Sequence, residues 1–142
     1  MLKRLKYVSR FAKPLGSAEI ARLADQSAVR NQQLGITGVL MSAGGLFFQI
    51  IEGPKEHVEA LYESIVRDSR HTDVLLLGSE ENAADRLFPD WSMKKIDLDE
   101  RADARLDPLK SILEALVAQH QLMGRLAQCL ERAVWTEMVS AG

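Results

Sequence analysis

Four polar side chains stand where the sequence otherwise builds a hydrophobic core: Tyr7, Ser27, Asn31 and Gln49. In Phe47-Phe48-Gln49-Ile50-Ile51, period-two alternation puts Phe47, Gln49 and Ile51 on one strand face. Tyr7 shares a face with Leu5 and Ser9 in another β-rich run. Ser27 and Asn31 fall on the Ile20–Leu23–Ala24–Leu34 stripe of a helix, where Leu or Ala would complete the stripe. A buried amide without partners costs roughly 1–3 kcal/mol. Asn31 and Gln49 therefore need partners. An amide offers two donors and an acceptor, and a phenol one of each. Converging from three elements, these groups suit a planar heterocycle with carbonyls and ring nitrogens. A buried network satisfied within the protein is the alternative that spacing alone leaves open.

Other chemistry is less well supported. Gly44-Gly45 reads as a hairpin turn, since neither a Lys-Ser/Thr pair nor a helix start follows it. His57, His71 and His120 lack metal-ligand spacing. Ser9 has no evident His and acidic partner for nucleophilic catalysis. Glu52, just before a Gly-Pro helix start, reads as a cap or a solvent-facing carboxylate. Cys129 reads as a small packed hydrophobe.

To bring the four polar groups together, two helices must pack on one face of a sheet. Leu2 to Ser9 reads as the first strand. Ser17 is placed to cap a helix that runs to Leu34 and stops at Gly35. Ile36 to Met41 and Leu46 to Glu52 form a hairpin around Ala43-Gly44-Gly45. Pro54 is expected at the first position of a second helix, which carries Val58, Leu61, Tyr62 and Ile65 and ends near Asp68. Val74 to Leu77 and Trp91 to Asp97 complete the strands. The order β-α-β-β-α-β plus a fifth strand predicts an α+β ferredoxin-like sandwich over residues 1–97, with two helices on one sheet face. The charged stretch 98–106 reads as a linker. Residues 107–142 read as a C-terminal helical hairpin: Leu109, Ile112, Leu113, Leu116 and Val117 stripe the first helix, and Leu126, Cys129, Leu130 and Val134 the second, across Gly124. It is expected on the open sheet face or on another subunit.

Bulk numbers bound the answer. The chain has 142 residues, 46% hydrophobic and 27% charged, enough for one core. A net charge of −2 gives no basic excess for neutralising nucleic-acid phosphates. No apolar run is long enough for a bilayer, and no secretory h-region is evident. One cysteine excludes an internal disulfide. A cytoplasmic protein away from membranes is expected.

The chain closely resembles the BLUF family, blue-light sensors using flavin, over residues 1–97. The likeness rests on Tyr7-Val-Ser9, Arg30-Asn31 followed by Gly35-Ile-Thr37-Gly38, Phe48-Gln49-Ile-Ile-Glu52-Gly53-Pro54, Asp68-Ser-Arg70-His71 and Trp91-Ser92-Met93. It implies FAD, or FMN or riboflavin, bound non-covalently between the two helices. Tyr7 matches the family's photoactive tyrosine, Gln49 its switching glutamine, and Asn31 the asparagine at the ring's pyrimidine edge. Arg30 stands where relatives commonly carry Asn or His. Leu23 and Ser27 match pocket-lining positions, and Asp68, Arg70 and His71 the second-helix end that contacts the ring or ribityl chain. Trp91 and Met93 match the two residues whose placement changes in different models of the signalling state.

The resemblance implies that Tyr7 gives an electron and then a proton to the excited ring and recovers both. Gln49 is left in a new orientation or tautomer, and the last strand carries the change to the C-terminal helices. The cycle makes no product, so a switch rather than an enzyme is expected. Output is expected in trans, to a separate partner protein, from a homo-oligomer. A light-independent ferredoxin-like ligand-binding or interaction domain is the alternative. A ferredoxin-like hydrolase is disfavoured because the loop after the first strand lacks a phosphate-binding pattern.

Overall fold

The structure, a computed structural model, describes residues 2–13, 15–43, 45–98 and 107–141, without the side chains of Leu109, Lys110, Val117, Ser140 and Ala141. The expected linker from residue 99 to 106 lies outside the described residues, as do Pro14 and Gly44.

The chain runs β1 (Leu2–Phe11), α1 (Ser17–Leu34), β2 (Thr37–Ala43), β3 (Leu46–Pro54), α2 (Lys55–Arg67), β4 (His71–Ala83), β5 (Lys94–Asp97) and α3 (Asp107–Ala141). The strands form one sheet in the order β4-β1-β3-β2-β5. Neighbours are antiparallel except β5, which lies parallel to β2 at the edge. This is the expected ferredoxin-like architecture with its fifth strand placed.

The sheet has two apolar faces. On one, Leu5, Tyr7 and Ile51 pack with Val58, Leu61 and Ile65 of α2. On the same side Leu40 and Phe47 pack with Ile20 and Ala24 of α1. On the other, Val8, Ala43 and Leu46 pack with Leu98 and with Leu113 of α3, flanked by Phe48 and Leu116. Alternation along β1 and β3 therefore feeds both faces, which only a sheet covered on both sides requires.

Local chemistry explains the boundaries. Gly35 caps α1 at φ 68, the left-handed region that favours glycine. Gly38 is forced by crowding: a Cβ there would lie 2.1 Å from the Ile50 carbonyl oxygen. Ser17 does not cap α1. Gly16 is the N-cap, and the Ser17 hydroxyl donates to Asp97 Oδ2 at 3.3 Å. Pro54 is not the first helical residue. It ends β3 opposite Leu2, at the sheet edge of the α2 start. β4 is much longer than Val74 to Leu77, because pairing with β1 extends it through polar residues that periodicity reads as loop. β5 is shorter than expected, and Trp91 to Met93 precede it.

The C-terminal segment corrects the expected hairpin. Residues 107–141 form one 35-residue helix that passes straight through Gly124. A lone helical glycine costs only about 1 kcal/mol relative to alanine, and the flanking helix formers outweigh it. α3 docks through Leu113 and Leu116, and from Leu122 onward its large apolar side chains are exposed. Leu98, expected in the linker, is fully buried beside Leu113. Among the described residues no helix is long and apolar enough to cross a membrane.

Candidate functional site

Tyr7 and Gln49 are directly opposed across the β1–β3 ladder, and Leu40 of β2 stands on the other side of Gln49. This register places phenol and amide side by side under α1 and α2. Tyr7 is fully buried, with its ring edge-on to Tyr62 of α2 at 5.6 Å and 64°. Gln49 Nε2 donates to Met93 Sδ at 3.7 Å. Asn31, also fully buried, donates from Nδ2 to the Ser92 carbonyl at 2.8 Å.

A cleft between α1 and α2 is lined by Leu23, Ser27, Arg30, Gln49, Asp68, Arg70 and His71, with Leu40 and Ile65. Seven residues singled out from the sequence thus converge on one opening. Its free volume is tight, about 30 Å³, close to the share of one water. A larger depression of about 210 Å³ adjoins it, sharing Leu23 and Arg70 and adding Arg22, Glu19 and Gln26.

Four buried polar side-chain atoms lack hydrogen-bond partners among the described residues: Tyr7 Oη, Arg10 Nε, Asn31 Oδ1 and Ser42 Oγ. Two of these belong to the polar set predicted from the sequence. Buried polar groups are almost always satisfied in native proteins. A phenol and an amide oxygen left open beside a cleft fit a polar planar ligand better than a self-satisfied network.

Electrostatics give each group a protonation state. Burial pushes the Tyr7 phenol far above its usual value, more than the Arg30 charge pulls it down, so it keeps its proton in the dark. Desolvation lowers Arg30 from its ordinary value. Asp68 is held at about 2 by its hydrogen bonds from Arg70, whose Nε lies 3.0 Å from both carboxylate oxygens. Burial lowers His71, which favours the neutral ring.

Trp91 and Met93 take opposite positions. Met93 packs inward against both helix-side clusters. Trp91 lies outside, 40% exposed, stacked on Phe88 at 5.6 Å with Lys94 over its ring. Its carbonyl accepts a hydrogen bond from Gly38 N at 2.8 Å.

Three features escaped the sequence reading. Ser9 does have a histidine partner: its Oγ shares a 2.8 Å hydrogen bond with His71 Nδ1. Ser9 is fully buried, so the pair orients the His71 ring rather than exposing a nucleophile. Tyr62 showed only as a helical stripe residue, and its contact with Tyr7 needs the fold. Glu52 neither caps nor faces solvent; it is buried at 1% exposure against Arg4 at 3.0 Å. The Arg4↔Glu52 pairing follows from the cross-strand register, which the sequence does not display. Among the described residues no cluster of His, Cys, Asp and Glu could hold a metal ion.

The α+β sandwich brings Gln49 and Ser27 to an interhelical cleft, while Tyr7 and Asn31, both predicted for the site, are fully buried and do not line it. The chain belongs to the BLUF family: residues 2–94 match the model described as sensors of blue-light using FAD. It is 34% identical over 116 residues to the photoactivated adenylate cyclase subunit beta of Euglena longa, covering 81% of this chain and 13% of that protein. It is 32% identical over 122 residues to the blue light- and temperature-regulated antirepressor BluF of Escherichia coli K12, covering 86% and 30%. The chain therefore spans less than a third of either curated relative. A bacterial light-regulated adenylyl cyclase superposes with TM-score 0.81 at 42% identity, over 88% of this chain and 36% of that one. BlrB, a BLUF protein in its dark state, superposes with TM-score 0.66 at 37% identity, over 83% of this chain and 96% of its own. The family's domain is a sensor rather than a catalyst, and its members are flavin proteins. A light-independent role is not favoured.

Proposed function

We propose that this chain is a blue-light photoreceptor that binds FAD between α1 and α2 and signals through α3. The observation that carries the reading is the opposed Tyr7–Gln49 pair beneath the cleft, with Tyr7 Oη and Asn31 Oδ1 left open. Asn31, Ser27 and Gln49 would hold the ring's polar edge, and His71, Asp68 and Arg30 its mouth. Arg22 and Arg70, in the adjoining depression, suit the ribityl phosphate of FAD or FMN over uncharged riboflavin. Because the cleft is tight, the Leu23 and Ile65 side chains must part to admit three fused rings.

When bound, the flavin supplies blue-light absorption and a strong excited-state oxidant. Tyr7 is the fitted donor: it is protonated, desolvated and adjacent to Gln49. The Gln49 amide presents a donor on one side and an acceptor on the other, so its reorientation exchanges the partners of Tyr7, ring and Met93. Met93 leads directly into β5, and β5 into Leu98. Leu98 N donates to the Ser42 carbonyl at 2.8 Å, and its side chain packs on Leu113 of α3. This chain of contacts joins the switch to the output helix.

The distal half of α3 is the output surface. Leu122, Met123, Leu126, Leu130, Val134 and Trp135 are at least half exposed. A second copy of the chain, or a separate partner protein, would cover them, since exposed stripes of this size mark interaction sites. We place the flavin domain at residues 1–97 and the output surface on the helix of residues 107–141.

The test is a difference spectrum. Purified protein should be yellow, and blue light should shift its absorption modestly to the red, reversibly in the dark. Colourless protein that takes up no added FAD or FMN would overturn the reading.

A further inference from the structure

Each Glu52 carboxylate oxygen accepts two hydrogen bonds. Oε2 takes Arg4 Nε and Leu87 N, both at 3.0 Å. Oε1 takes Phe88 N at 2.7 Å and Thr37 Oγ1 at 3.4 Å. Around this hub, Arg4 Nη2 donates to the Asp85 carbonyl at 2.6 Å. Arg86 donates to Thr37 Oγ1 at 2.9 Å, the Glu52 carbonyl at 3.2 Å and the Gly35 carbonyl at 2.7 Å. Every residue from Asp85 to Phe88 is thereby tied to the strand ends.

A few residues on, the same segment has a second attachment of different strength. Trp91, Ser92 and Met93 are held by Gly38 N, Asn31 Nδ2 and Gln49 Nε2. Those bonds are neutral, and the last ends on a thioether, a weak acceptor. The Glu52 bonds are charge-assisted and end on a carboxylate that is itself buried. A turn of Gln49 would therefore strain the weaker, neutral attachment before the charged one.

We propose that Glu52 is the fixed anchor of the 85–93 segment. Residues 85–88 stay in place in the dark and in the light, so that displacement at Gln49 is confined to Trp91–Met93 and directed into β5. Glu52 is then a positioning residue for signal relay, on the opposite side of the sheet from the photochemistry. The inference rests on the photoreceptor reading above.

The test is residue-resolved amide hydrogen exchange on the full flavin-loaded chain, in the dark and under continuous blue light, with the absorption shift recorded on the same sample. Leu87 and Phe88 should keep equal protection in both states, while Gly38 exchanges several-fold faster in the light. A red shift accompanied by equal acceleration at Leu87, Phe88 and Gly38 overturns the anchor alone. No red shift overturns anchor and photoreceptor together. In Glu52→Gln the amide oxygen can keep Arg4 Nε and Leu87 N, which sets the amide nitrogen against Phe88 N. It should keep the red shift, lose Phe88 protection, and lose the light response at Gly38. If that variant fails to fold, Glu52→Asp keeps the charge beside Arg4 while its shorter side chain withdraws the carboxylate from the backbone donors, and carries the same expectation. A full Gly38 response in a variant whose Phe88 is unprotected refutes the proposal.

Discussion

Replacing Tyr7 by phenylalanine separates stability from photochemistry. Tyr7 is fully buried and its hydroxyl has no partner among the described residues. Leaving a buried hydroxyl unpaired costs about 1–3 kcal/mol. Tyr7→Phe removes that oxygen and keeps the ring, its edge contact with Tyr62 and its packing among Leu5, Ile51, Leu61 and Ile65. In flavin-free protein the variant should therefore gain about 1 kcal/mol, or about 3 °C in Tm for a chain of this size. In flavin-loaded protein it should stay yellow and lose the light-induced shift, because phenylalanine has no proton to give and a poorer electron to lose. Urea unfolding of the flavin-free pair measures the first effect, and a difference spectrum the second. A flavin-free variant destabilised by more than about 1 kcal/mol would show that the hydroxyl is bonded in the native state. A normal red shift would remove Tyr7 from the photochemistry.

Gln49→Leu should retain bound flavin and show no red shift; a persisting shift argues against the amide as the switch. Asp68→Asn tests the Arg70 pair: with the carboxyl held at about 2, its stabilisation is present above the unfolded value of about 4 and lost as pH falls toward 2. The wild type should thus lose about 1 kcal/mol more than the variant between pH 4 and 2, after solvent screening, and parallel urea profiles would refute it. Glu52→Leu strips the acceptor from Leu87 and Phe88 and, among the described residues, leaves buried Arg4 only Glu80 as a carboxylate partner. It should cost about 3 kcal/mol by denaturant unfolding, and a loss under 1 kcal/mol would show the hub to be dispensable. Leu130→Glu places a charge in the exposed α3 stripe and should weaken self-association at least about tenfold by sedimentation; unchanged association moves the interface elsewhere.

The sequence by itself settled the fold class and the polar set of the site. Period-two and period-3.6 patterns are local, and a buried face writes itself into them directly. Tyr7, Ser27, Asn31 and Gln49 were legible because each breaks such a pattern. The Gly35 stop was legible because backbone at positive φ selects its own residue. The family motifs added the flavin, which no periodicity could name. Only tertiary structure decided the rest. Pairing with β1, not its own composition, extends β4 through Ser79 and Glu80. Flanking helix formers carry α3 across Gly124, where a lone glycine suggested a break. Whether Glu52 meets water or Arg4 depends on which strand lies beside β3, a contact 48 residues away in sequence. The Tyr7–Gln49 opposition depends in the same way on register. A side chain's period belongs to its own segment, but its partner is chosen by the sheet.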